Sequence, residues 1–225
     1  MDVCRALADV ASFGAFFAVS TDPAEGVDPT WRPLRGLYTD PQPLRDRIAH
    51  VGRVLGAGER VAASITFQGL AARVLSAPFA TVAVHGVLPD LTAAALHWRP
   101  SATGPWPLWC ADPGSRDPDE LAALLIDDHL APLVDAVRAQ VSISERVLWG
   151  SVASSVASGK RLVGTPRATA VAEQLLATGP LAGTGELRPP AGPDRDWTFR
   201  RRSCCLYYRV PGGGLCGDCV LAARP

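Results

Sequence analysis

The chain has 225 residues, 48% of them hydrophobic and 20% charged, with 22 basic side chains against 22 acidic ones. That length and composition fit one large soluble domain, or one domain with an appendage. The zero net charge excludes a dedicated nucleic-acid binder, which needs a basic excess, so no nucleic-acid partner is expected.

Residues 2–19 read as an amphipathic helix, with Val3, Leu7, Val10, Phe13 and Phe17 on one face. Asp2 and Asp9, with no basic leader, give no signal-peptide pattern. Residues 20–41 read as loop, interrupted by Asp22-Pro23, Asp28-Pro29, Arg32-Pro33 and Asp40-Pro41. Residues 43–55 predict a helix ending near Gly56-Ala57-Gly58. A stronger helix follows from Glu59 to Ser76, with Pro78 ending it. Thr81-Val82-Ala83-Val84 reads as a short buried segment of β-branched character, and Leu91 to Trp98 fits strand or helix equally. With a strand at Pro107 to Ala111, a small antiparallel sheet is expected here.

Asp117-Pro118-Asp119-Glu120 is a helix start, with Asp117 as cap and Glu120 closing a capping box. That helix should reach about Gln140, kinked near Pro132. Ser144 opens the next, running to Ser158 before Gly159, and Thr165-Pro166 opens a third, ending near Gly179. The three should form a bundle. Residues 179–196 are rich in Gly and Pro and read as a linker or long surface loop. The expected organisation is therefore a body at 1–178, a linker at 179–196 and a C-terminal segment at 197–225. The longest charge-free run, Val74 to Pro89, is too short for a bilayer and contains Pro78, so no transmembrane segment is predicted.

The C-terminal segment carries Cys204-Cys205, ten residues, then Cys216-Gly217-Asp218-Cys219. Thiolates this dense beside Gly212-Gly213-Gly214 point to metal. The spacing is neither that of a zinc ribbon nor of the familiar ferredoxins. Adjacent alpha carbons lie only about 3.8 Å apart, so Cys204 and Cys205 need a bent backbone to serve one site. From Asp194 to Pro225 there are six arginines against three aspartates, an excess of +3. A four-thiolate [2Fe–2S] cluster carries about −2, and about −3 after one electron, which such a basic strip would stabilise. A solvated basic strip at Arg200-Arg201-Arg202 is the plainer alternative. A structural zinc knuckle also stays open on ligand type. A thioredoxin-like dithiol lacks its strand-then-helix setting, and Val220 stands where c-type haem attachment needs His. Cys4 and Cys110 read as ordinary buried or free thiols, and no histidine lies near the cysteines in sequence to make a Rieske set. Gly159-Lys160 is no Walker A loop and no dinucleotide fingerprint follows a strand, so electrons from a nicotinamide must arrive through another protein. Six cysteines without an export signal suggest a reducing, cytoplasmic setting.

The stretch from Phe199 to Cys219, FRRRSCCLYYRVPGGGLCGDC, closely resembles the C-terminal [2Fe–2S] motif of FhuF-type ferric siderophore reductases. Weaker likeness extends over Glu59–Ser64, Gln68–Arg73, Gly86–Leu91 and the helix around Leu148 to Ser158. The resemblance implies an α+β fold: a predominantly helical, palm/thumb-like body, as in IucA/IucC-related proteins, with a small antiparallel sheet and the iron–sulfur tail. It implies a [2Fe–2S] cluster held by Cys204, Cys205, Cys216 and Cys219, and one-electron reduction of a ferric siderophore, of hydroxamate type, with release of Fe(II). A ferredoxin or a reductase would be the electron donor. The substrate should lie between body and tail, with Arg201, Arg202, Tyr207, Lys160, Arg161, Trp197 and Arg73 as candidate contacts, although Trp197 and Tyr207 also suit packing around the cluster. The competing reading is a binding or iron-sensing protein whose tail is ordered by zinc or an iron–sulfur site.

Overall fold

The Asp2 carboxylate accepts from the Arg5 N–H at 3.2 Å and opens helix α1 (Val3–Val10) in the computed structural model, which describes residues 2–192 and 196–222. The expected single helix over 2–19 is shorter than its apolar spacing suggested. A 3₁₀ turn at Ala11–Phe13 meets Gly14 at φ 128°, a conformation few other residues adopt, and the chain reverses there. The next stretch holds strand β1 (Val19–Ser20), a 3₁₀ turn at Pro23–Val27, strand β2 (Arg32–Pro33) and helix α2 (Leu34–Thr39), so the expected loop is partly ordered. Asp40 caps α3 (Pro41–Leu55) through the Gln42 N–H, and Gly56 ends it in the left-handed region at φ 58°.

Helix α4 (Glu59–His85) corrects two expectations at once. Pro78 lies inside it, and residues 81–84 are its last turns and not a separate segment. An interior proline costs about 3 kcal/mol. Here Ala77, Phe79 and Ala80 are wholly buried, and each large apolar side chain so placed returns about 1.5–3 kcal/mol. The Thr81 hydroxyl bonds back to the Ala77 and Pro78 carbonyls, both at 3.1 Å. By length and composition α4 could cross a membrane, but 78% of its most apolar window is buried inside the protein. It is the central helix of the core.

Strands β3 (Leu88–Pro89), β4 (His97–Trp98), β5 (Leu108–Trp109) and β6 (Ser115–Arg116) follow. The main sheet has order β1-β5-β4-β2, and β1 pairs β5 in parallel, Val19 opposite Leu108. The pairing of β4 with β5 is antiparallel as expected, as is that of β2 with β4, and the sheet becomes mixed only because a strand from the N-terminal segment is added beside β5. Strands β3 and β6 form a separate antiparallel pair.

Asp117 caps the next start through the Asp119 N–H, as expected, but Glu120 turns to Arg116 (2.9 Å) and closes no capping box. The chain passes through a 3₁₀ turn, then α5 (Leu121–Ala123), a π-helical stretch (Leu124–Leu130) and α6 (Ala131–Arg138). The wide π turn precedes Pro132 and takes up the disruption expected of that proline. Helix α7 (Glu145–Val163) runs past Gly159 to Gly164, at φ 65°. Gly159 does not terminate it: a Cβ there would sit 3.3 Å from the Phe79 ring, so the glycine lets α7 pack closely on α4. Thr165 caps α8 (Pro166–Leu176) through the Ala168 N–H.

The Gly/Pro-rich stretch holds a 3₁₀ turn at Gly179–Leu181 and strand β7 (Gly185–Arg188). Strand β8 (Thr198–Arg201) pairs with β7 antiparallel, Gly185 opposite Arg201, and the hairpin lies against α7. Part of the expected linker is thus one arm of a hairpin, because residues 185–188 find a partner only in the tail. Asp194, Arg195 and Arg224, three members of the charge tally, lie outside the described residues. The fold is α+β, a helical body with small sheets, and its main core gathers around α4.

Candidate metal centre

Strand β8 delivers the chain to Ser203 and the cysteine pair, and α4 and α7 fix where that pair lands. Ser64, fully buried on α4, donates to the Cys205 carbonyl at 2.9 Å. Gly150 on α7 makes room for Ser203, whose Oγ lies where a Cβ at 150 would go. The bend required by adjacent cysteines falls at Leu206, whose φ of 66° is the one left-handed non-glycine among the described residues. Such a backbone costs about 1–3 kcal/mol. Leu206 is held there by a small apolar cluster with Val61 and Val210, backed by Leu55, Ala57 and Ile65, and burial of one leucine offsets about that amount.

The turn brings Cys205 Sγ to 3.7 Å from Cys216 Sγ. Two thiolates on one tetrahedral metal, with bonds of about 2.3 Å, sit about 3.8 Å apart. The Leu206 N–H points at Cys204 Sγ and the Leu221 N–H at Cys219 Sγ, each at 3.4 Å. Arg201, 1% exposed, donates Nη2 to Cys216 Sγ at 2.9 Å. Its Nε lies 3.0 Å from Asp218 Oδ2, an ion pair off the axis of a hydrogen bond, and Nη1 reaches Ser151 Oγ at 3.4 Å. Ser203 Oγ is buried without a partner.

These groups define the electrostatics. The Cys216 thiol beside it, more than burial opposes, pulls Cys205 down to about 5, with help from the Tyr207 N–H and Arg201. Cys216 is pushed up by sharing that proton and by burial. Burial also raises Cys204. Burial works against the Arg201 charge, but Asp218 and the two sulfurs outweigh it and hold the guanidinium protonated. The donor set fits a [2Fe–2S] cluster: four thiols, one pair at single-metal spacing, N–H donors on the sulfurs and a buried cation to balance their charge.

Two clefts, of about 590 and 560 Å³, share Cys216, Gln68, Ser154 and Ser158 in their walls. The first also reaches Cys219 and is lined by Arg161, Arg188, Arg200 and Trp197. The second reaches Cys205 and is walled by Phe13, Phe16, Leu162 and Tyr207. Of the seven expected contacts, the structure brings Arg161, Trp197 and Tyr207 to these clefts. Trp197 is largely buried and donates Nε1 to Glu173 at 2.8 Å. Arg201 faces the sulfurs. Arg202 is exposed elsewhere, 3.4 Å from Glu186 and beside a small groove with Trp149. Arg73 is buried and donates to the Trp106, Phe16 and Ala18 carbonyls, and burial brings it down to about 10. Lys160 is buried, donating to the Trp197 carbonyl at 2.8 Å with its ammonium 4.3 Å from that ring's centre. Gln68, Ser154, Ser158, Arg200 and the Phe13–Phe16 turn were not anticipated. One signal was present: Ser151, Ser154, Ser155 and Ser158 repeat at helical spacing on an otherwise apolar helix.

A helical body carrying four tail cysteines, with Cys205, Cys216 and Cys219 in the walls of two clefts, is the arrangement of an iron–sulfur protein. Residues 67–189 match the family described as "Ferric iron reductase FhuF-like transporter", and residues 201–221 match the "FhuF 2Fe-2S C-terminal domain". The chain belongs to the FhuF-like family, and its tail is a [2Fe–2S] domain. Over 124 residues it is 28% identical to "Ferric siderophore reductase" of Escherichia coli (strain K12), an alignment covering 52% of this chain and 47% of that protein. The matched region thus spans about half the length of that curated relative.

Proposed function

We propose that this protein is a cytoplasmic ferric-siderophore reductase, with Cys204, Cys205, Cys216 and Cys219 as the cluster ligands. When bound, a [2Fe–2S] cluster supplies single electrons, and Fe(III) bound by a siderophore, taken here as a hydroxamate, is released once it becomes Fe(II). The observation that carries this reading is the position of Cys216, one sulfur in the walls of both clefts. A chelate resting there is within reach of the thiolate rim, whichever cleft holds its organic arms.

The chain's own residues bind and orient. Arg161 and Arg200 place positive charge on one wall, which draws anionic groups. Arg200 is steadied by donating Nη2 to the Val220 and Ala222 carbonyls at 2.9 and 2.8 Å. Phe16, Leu162 and Tyr207 make the other wall apolar, a surface for the uncharged parts of a chelate. Reducing equivalents come from a donor such as a ferredoxin or a reductase. In the Cys205→Ser variant, turnover should vanish while ferric-siderophore binding, followed by tryptophan fluorescence, stays within about threefold of wild type. Unchanged turnover in that variant contradicts the reading.

A further inference from the structure

We propose that Arg201 is a positioning residue that acts through Cys216, a buried counter-ion setting how readily the metal centre accepts an electron. The inference rests on the four-cysteine reading above. Its basis is geometric. Arg201 has 1% of its surface exposed, so solvent does not screen it. Its guanidinium spans Cys216 Sγ (2.9 Å), Asp218 Oδ2 (3.0 Å) and Ser151 Oγ (3.4 Å). The backbone repeats the tie, with the Arg201 N–H on the Asp218 carbonyl at 3.0 Å. Strand β8 holds the residue at one end and α7 at the other, so the charge cannot swing into the clefts.

Burying a cation is costly unless its charge is answered. Asp218 is the one carboxylate paired with it among the described residues, and it answers one unit. The remaining partner is a sulfur of the thiolate set, where added electron density is favoured by a nearby positive charge and by an N–H donor on sulfur. Arg201 and Asp218 should therefore move the potential in opposite directions.

The test is a stepwise dithionite titration of the loaded full chain, one electron per protein, followed optically and by electron paramagnetic resonance. Arg201→Gln should lower the equilibrium constant for reduction at least tenfold, a downward shift of about 59 mV for one electron. Arg201→Lys, which keeps the charge, should lie nearer wild type. Asp218→Asn should shift upward. Wild-type potentials in both neutralised variants, or shifts of the same sign, overturn the inference while leaving the cluster assignment intact. If Arg201→Gln holds no cluster, Asp218→Asn decides alone: an upward shift supports the role, and an unchanged or lower potential overturns it. A colourless wild-type protein free of iron overturns the four-cysteine reading itself, and this inference with it.

Discussion

The Ser64 hydroxyl, in the second turn of the core helix, donates to the carbonyl of Cys205, 141 residues further along the chain and also buried. It fastens the metal-binding tail to the most deeply buried helix of the body. Ser64→Ala leaves that carbonyl without its partner, a cost of about 1–3 kcal/mol. Thermal unfolding should show the loss, and bound iron per chain should fall with it. Unaltered stability and iron content would show that the tail is held by other contacts.

Of the three consecutive glycines, two are required, each for a different reason. Gly212 has a φ of 70°. A Cβ on Gly213 would lie 2.7 Å from the Tyr207 carbonyl oxygen and 2.9 Å from that of Val210, both rigid backbone, whereas Gly214 faces open space. Gly213→Ala should therefore cost the protein most of its bound iron, and Gly214→Ala should load normally. Equal loading of the two variants contradicts this account of the loop.

Arg73 and Arg161 separate structure from substrate contact. Arg73→Ala strands carbonyls that its guanidinium satisfies, so at least about 3 kcal/mol of stability should go. Arg161→Ala should change stability by less than about 0.5 kcal/mol yet raise KM about five- to tenfold for an anionic ferric chelate. Denaturant titration and steady-state kinetics on the two variants check this. A raised KM at wild-type stability in Arg73→Ala would reverse the assignment.

His129 predicts a pH dependence far from the metal. It is 1% exposed on the π turn, with Nε2 toward the Leu91 carbonyl (2.7 Å) and Nδ1 toward the Tyr38 hydroxyl (3.0 Å). Burial lowers its pKa below the ordinary 6.5, although the Leu91 carbonyl and Asp128 oppose that. The unfolded chain then takes up the proton first as pH falls. Stability is full above about 6.5 and declines below it, by up to about 1.4 kcal/mol per pH unit, until the folded pKa is reached. Denaturant midpoints between pH 7.5 and 5 should show this slope in wild type and lose it in His129→Gln. Parallel slopes would remove His129 as its source.

The metal motif was legible because its chemistry is local: four thiols, a flexible return loop and basic neighbours lie within one short stretch. Helix starts at Asp117 and Thr165 were legible, since a cap acts on the next turn, whereas Asp40, read as a loop break, caps a helix that begins two residues before the expected 43. Pro78 and Gly159 misled for one reason. Each reads as a helix end by itself, but each sits where α4 meets α7 or the core, and burial outweighs local preference. The clefts were illegible in their walls. Gln68, Ser154 and Phe16 meet only after α4, α7 and the turn at Gly14 dock, and no short-range pattern encodes that meeting. The candidate contacts Arg73 and Lys160 carry charge that a sequence places on a surface and that this fold turns inward, onto backbone carbonyls.

The central claim is that the four tail cysteines hold a centre that passes one electron to a ferric siderophore. The most direct test is an anaerobic single turnover. The protein is reduced with one electron equivalent of dithionite (half a mole per mole of protein), its visible spectrum recorded, and a ferric hydroxamate added with a ferrous-specific chelator present. Bleaching on reduction, followed by recovery of the colour with one Fe(II) trapped per protein, is the predicted result. A chromophore that bleaches and stays bleached with the siderophore present would contradict the claim.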